Sequence, residues 1–283
     1  MIMIGYTTME VTQLLLIKQK TTVAVISDTH IGSTVALCPP NLYLDDGQSI
    51  EQSKAQKWLW SNWKDFIDLS THLNKKLYIF HLGDVFENAH HEKTQLWSIN
   101  EADWKKAAYE TFSDFFSKSQ HRFVIRGTPA HAKTGASLEE EFALSVKAEQ
   151  ENERWSTWTR KVYVNDVLFD LAHKGPVGQL PWTISNPLNR LAFEVIANCC
   201  SRHTKLPDII LRSHNHTYGT SSDNCPVLVI SMPAWQLCTE YIQTHNPVKM
   251  SSIGGIVFEC WDGKYEIHKK LYIPKEEEPW KEQ

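Results

Sequence analysis

Five short groups in this sequence carry side chains that bind metal ions: Asp28-Thr29-His30, Gly83-Asp84, Gly127-Thr128-Pro129-Ala130-His131, His173, and His214-Asn215-His216. Carboxylates suit hard divalent ions and imidazoles suit borderline ones, so this mixture fits manganese, iron, zinc or nickel better than magnesium or calcium alone. Asp-x-His after an extended strand presents both side chains on one side, because residues i and i+2 share a face. The same spacing predicts that His214 and His216 act together. Taken singly, a Gly-Asp turn or a His-x-His pair is ordinary loop chemistry. Their succession in one chain points to a metal centre.

The elements that must position these groups are legible around them. Thr21 to Ser27 (TTVAVIS), Lys76 to Leu82 (KLYIFHL) and Arg122 to Arg126 (RFVIR) predict buried strands that stop at Asp28, Gly83 and Gly127. Helical spacing from Ile50 to Leu73 carries Trp58, Trp60, Trp63 and Phe66, and from Asn100 to Ser119 it carries Trp104, Phe112 and Phe115. Strand, helix, strand at this spacing predicts βαβ units in an α/β fold. Ser137 to Asn152 opens with a capping-box pattern and predicts a surface helix. Hairpins are predicted around Asn165-Asp166 and Asp262-Gly263, with a helix from about Pro187 to Ser201 and strands at Asp208 to Arg212 and Pro226 to Ser231 between them. One domain over 1–283 accounts for this pattern, with a core of about 21–272, helical insertions at about 33–75 and 88–120, and a solvated tail at 275–283.

The ordered set resembles the calcineurin-like metallophosphoesterase superfamily, whose pattern is D-x-H, G-D, G-N-H, H and G-H-x-H; the match runs from Val23 to Thr217. The resemblance implies a four-layer α/β/β/α sandwich of two mixed sheets with a binuclear metal centre at the strand ends. It places Asp28, His30 and His216 on the first ion, Asp84 as the bridge, and Thr128, His173 and His214 on the second. It makes His131 the catalytic histidine beside the scissile phosphate. Two divalent ions, manganese foremost, would neutralise the phosphoryl charge during in-line attack, and the His131 imidazolium would protonate the leaving oxygen. The third motif departs from the pattern: a hydroxyl, Thr128, stands where the family has an amide, and His131 lies two residues further on. Ser213 replaces the glycine before H-x-H.

Arg126 and Lys174 are the cations closest to these motifs and the candidate substrate-binding residues; Lys133 follows beyond His131. Trp58 and Trp104 fall at core spacing, whereas Trp182 sits in a loop after His173 and is a candidate for substrate contact. His81, inside an apolar strand, is read as a core histidine, His90 and His91 as lining the mouth of the site, and Glu87 and Asn88 as orienting ligands. The formal net charge of -4 gives no global attraction for polyanions, so binding of DNA, RNA or a nucleotide must come from local groups. A phosphodiester substrate is expected; a phosphomonoesterase or protein phosphatase would use the same ligands. A relative that kept the fold and lost catalysis would be an interaction scaffold, but such decay removes ligands and this chain retains them. No apolar stretch predicts a membrane span or signal peptide, and the six cysteines form no C-x-x-C pair, so a reducing cytoplasm is expected.

Overall fold

The computed structural model describes residues 19–88, 95–132, 137–178, 180–223 and 225–275. His90, His91, Lys133 and most of the expected tail lie outside them. The first strand, β1 (Thr21–Ile26), is followed by a small ribbon of β2 (Leu42–Tyr43) and β3 (Ser49–Ile50), then α1 (Lys54–His72) and β4 (Lys76–His81). Next come α2 (Glu101–Ser117), β5 (His121–Ile125), the single turn α3 (Pro129–Ala132), α4 (Ser137–Ser145) and β6 (Ser156–Thr157). The second half holds β7 (Thr159–Val164), β8 (Val167–Lys174), α5 (Ser185–Arg202), β9 (Ile209–Ser213), β10 (Gly219–Thr220), β11 (Leu228–Ser231), the short α6 (Glu240–His245), β12 (Ile253–Trp261) and β13 (Lys264–Tyr272).

These strands form two mixed sheets. One runs β13-β12-β1-β4-β5-β6, with β1, β4, β5 and β6 parallel and the β12/β13 hairpin antiparallel at its edge. The other runs β10-β11-β9-β8-β7, parallel at its centre and antiparallel at both edges. Every residue of β1 is buried because both its faces are covered. Val23 and Val25 pack between the sheets against Phe169 and Leu211, while Ala24 and Ile26 face the helices with Trp63, Phe112 and Phe115. Burial on both sides is why such strands read as continuous apolar runs. On the far side α5 sets Leu188 and Ala192 on Ile210 and Val229. The result is the α/β/β/α sandwich of two mixed sheets that the resemblance implies.

One predicted element is different in kind. Ser137 to Asn152 is not a surface helix throughout: α4 stops at Ser145, and Leu138, Glu139, Phe142 and Ala143 are buried. Phe142 packs against Phe112, 5.3 Å between ring centroids. Polar residues between the apolar ones disguised a helix that faces the core.

Candidate metal centre

The ligand loops cluster where β1, β4, β5, β8 and β9 end. Asp28, His30, Asp84, His214 and His216 all have positive φ, between 42° and 77°. This left-handed region is uncommon for residues other than glycine, with Asp and His among the more tolerant. The i, i+2 pairs therefore converge through left-handed turns, not through the extended face that their spacing predicts. Two glycines allow the β4 and β5 loops to touch. A Cβ on Gly83 would lie 2.7 Å from Gly127 Cα, and one on Gly127 would lie 2.1 Å from Asp84 Oδ1. That close approach lets the Thr128 amide donate to Asp84 Oδ1 at 2.7 Å, with the Thr128 hydroxyl 3.2 Å from the same oxygen.

Two sets of donor atoms result, each within 4.8 Å: Asp28, His30 and His216, and Asp84, His173 and His214. A further set, His30, Asp84 and His131, links them. His216 Nε2 lies 3.3 Å from Asp28 Oδ1 and 3.2 Å from His30 Nε2. His173 Nε2 lies 3.0 Å from Asp84 Oδ2, and its Nδ1 is 2.6 Å from the Leu82 carbonyl, which fixes the ring. Asp28 Oδ1 and His173 Nε2 are buried without a hydrogen bond of good geometry. Buried polar atoms normally find such partners, and lone pairs aimed into a shared space are what a bound cation satisfies. The residues present therefore fit a divalent metal.

The charges are mutually dependent. Burial by itself raises the Asp28 and Asp84 carboxyls, but His216 beside the first and His173 beside the second hold both well below the usual carboxylate range. Burial likewise opposes protonation of His173, yet Asp84 lifts it to about 10. His131 is raised against its burial by Glu87 and Asp84. Its Nδ1 is 3.0 Å from Glu87 Oε1, while Glu87 Oε2 lies 3.2 Å from His30 Nδ1 and accepts from Gln236 at 2.6 Å. Glu87 thus spans a metal-set histidine and the third-motif histidine, a more central place than that of a peripheral orienting group. The turn of α3, closed by His131 N–H to the Thr128 carbonyl at 3.0 Å, brings His131 back to the centre despite the longer loop.

Two groups support the site from behind. His81 is a core histidine as expected: burial pushes it down to about 3, its Nε2 is 3.1 Å from Thr29 Oγ1, and its Nδ1 accepts from the Gly83 amide. Glu139, which sequence reasoning missed, accepts from the Gly127 amide at 2.5 Å and the Val85 amide at 3.3 Å. Burial and the nearby Asp84 charge push its carboxyl up to about 7. The only signal for it was its place on a helix misread as exposed.

An open cavity of about 560 Å³ lies over the site, lined by Asp84, His30, His131, His214 and His216. Arg126 is not among the lining residues. Its guanidinium pairs with Glu140 at 3.0 Å, donates to Ser156 and lies over the Trp158 ring, so the expected phosphate contact is replaced by a structural ion pair. Lys174 follows His173 on β8, whose alternation turns the lysine outward while the histidine is buried. Trp182 is 77% exposed and does not line the cavity, whereas Trp104 is buried in the core. Instead, residues of the 236–251 segment, which had no periodic signature, line much of the cavity. A separate donor set on the outer hairpin, Glu259, Glu266 and His268, is already met by the Lys20 ammonium, 3.5 and 3.6 Å from the two glutamates.

No family profile and no curated protein matches the sequence. Among solved structures, a Vps29 single mutant from Entamoeba histolytica is 12% identical, with 89% of this chain and 100% of that chain covered and a TM-score of 0.43. Yfce, a phosphoesterase from E. coli, is 10% identical, with 84% and 87% covered and a TM-score of 0.41. A dimetal phosphatase from Danio rerio is 9% identical, with 88% and 96% covered and a TM-score of 0.41. These likenesses are distant, and the reading of the site rests on its own residues. With its two mixed sheets, outer helices and ligand loops at the strand ends, the fold is an α/β/β/α sandwich that gathers its donor sets at one end of the sheets.

Proposed function

We propose that this chain hydrolyses a phosphoester with two divalent metal ions and that the substrate is a phosphodiester. The observation that carries this reading is the pair of adjoining donor sets, each built on a buried carboxylate. Asp28, His30 and His216 would hold one ion, and His173, His214 and the Thr128 hydroxyl the other, with Asp84 between them. Bound there, the ions would supply charge neutralisation at the phosphoryl oxygens and activation of water.

The chain's own groups do the rest. Glu87 holds the His131 ring through Nδ1, which leaves Nε2 to deliver a proton to the departing oxygen. The glycine contact between the β4 and β5 loops keeps Asp84 and Thr128 in register. The diester preference is supported by the scarcity of lysine and arginine among the described residues that line the cavity. Among them Lys249 is the one lysine or arginine, and Glu87 and Glu240 line it as well. A singly charged diester suits that balance better than a doubly charged monoester.

The test is hydrolysis of bis-p-nitrophenyl phosphate and p-nitrophenyl phosphate by metal-stripped protein with manganese, nickel, zinc or magnesium restored and bound metal counted. Diester turnover with two metals per chain is the expected result. Preference for the monoester makes the enzyme a phosphatase, and absence of both metal and turnover overturns the proposal. His131→Gln should retain both metals while turnover falls about 10²-fold or more.

A further inference from the structure

Part of the cavity wall is an arm, residues 236–251, that leaves the fold beside one ligand loop and returns beside another. At its root the Trp235 amide donates to the Asp28 carbonyl at 3.0 Å, and at its end the Ser252 amide donates to the His216 carbonyl at 2.8 Å. The stem is closed across itself: Cys238 Sγ donates to the Lys249 carbonyl at 3.1 Å and accepts from the Ser251 amide at 3.2 Å. Its outer part is fastened to the opposite rim, where the Glu240 amide donates to Gln95 Oε1 at 2.7 Å. The arm is therefore held in place relative to the first donor set.

Two of its side chains have the chemistry of a recognition element. Tyr241 lines the cavity and is 49% exposed, with its ring 4.2 Å from that of His245 at an interplanar angle of 34°. Lys249 also lines the cavity, and its ammonium makes no ion pair among the described residues. An aromatic ring and a cation lining one cavity are the groups with which proteins take up a nucleobase and its phosphate. A polynucleotide track would need a row of cations, since each phosphate contact calls for one. Among the described lining residues there is a single lysine, alongside Glu87 and Glu240.

We propose that the 236–251 arm selects the substrate, and that the substrate is a small nucleoside phosphodiester: the base stacks on Tyr241 and the Lys249 ammonium meets the phosphate. This rests on the phosphoesterase reading and names the substrate class of that same site. The test compares two esters with the same leaving group, thymidine 5′-(p-nitrophenyl phosphate) and methyl p-nitrophenyl phosphate. The wild type should favour the nucleoside ester in kcat/KM by about 10-fold or more, the scale of one base stacked on one ring. Tyr241→Ala should erase that ratio, and Tyr241→Phe, which keeps the ring, should preserve it. Lys249→Met should lower both esters alike and leave the ratio intact. Equal turnover of the two esters by the wild type, or an unchanged ratio in Tyr241→Ala, overturns the inference. If neither ester is hydrolysed, the phosphoesterase reading fails by itself. Calorimetric titration with thymidine 5′-phosphate then decides the arm's role: about 10-fold weaker binding to Tyr241→Ala upholds it, and equal binding removes it.

Discussion

The two sheets contribute to the site unequally. The six-stranded sheet delivers both carboxylates, Asp28 after β1 and Asp84 after β4, and its outer face is covered by α1, α2 and α4 with Trp63, Phe66, Phe112, Phe115 and Phe142. The five-stranded sheet delivers only imidazoles, His173 on β8 and His214 and His216 after β9, and its outer face carries α5, which buries the small or medium side chains Leu188, Ala192 and Cys199 and half-buries Leu191, Val195 and Ile196. Anionic groups buried at the bottom of the site are the costliest to misplace, because an unpaired buried charge has no inexpensive alternative. They sit on the more heavily packed side. Trp235 joins packing to chemistry: its ring lies 5.0 Å from Trp63, and its amide donates to the Asp28 carbonyl.

The largest effect expected from disturbing this asymmetry is at Asp84. Asp84→Asn should abolish metal retention and turnover, beyond the roughly 10–100-fold that outer-sphere partners of a metal are worth; elemental analysis with diester turnover reads both. Trp63→Ala should cost about 3–5 kcal/mol of unfolding free energy and weaken metal retention, whereas Leu188→Ala should fall near the low end of about 2–5 kcal/mol and leave metal retention unchanged. Denaturant melts with metal titrations check this, and equal effects of the two changes would break the comparison. Ser213→Ala removes a hydroxyl 3.0 Å from His173 Nδ1 and should weaken one of the two bound ions, about 10-fold, without weakening the other. A further effect is a pH slope from Glu139. Its folded carboxyl is raised to about 7 from an ordinary value of 4.5. The folded state therefore holds the extra proton between those values, and stability falls as pH rises through that window. Metal-stripped wild type should lose stability relative to Glu139→Gln between about pH 4.5 and 7, read by melts at fixed ionic strength.

Much of this was legible because strands buried on both faces are apolar runs that stop abruptly, and the residues at or just after their ends supply the donor sets. β1, β4 and β5 end within one residue of their predicted limits. What the one-dimensional pattern concealed was direction. Arg126 is next to Gly127 in sequence, but its side chain runs to Glu140 and Ser156, because adjacency on a chain does not say which side a residue faces. Glu139 was hidden in a helix whose charges suggested solvent. The 236–251 arm was invisible for a different reason: it is held by amide-to-carbonyl bonds and one thiol, which leave no periodic trace in residue types.

That anchoring separates two properties of the molecule. The arm begins at the Asp28 carbonyl and ends at the His216 carbonyl, so the distance between its ends is fixed by the metal centre and not by its own length. Lengthening a loop between fixed ends is cheap, about 0.6 kcal/mol for each doubling. The segment can therefore be lengthened at little cost while the donor sets beneath it keep their places, which separates the shape of the cavity wall from the geometry of the ligands.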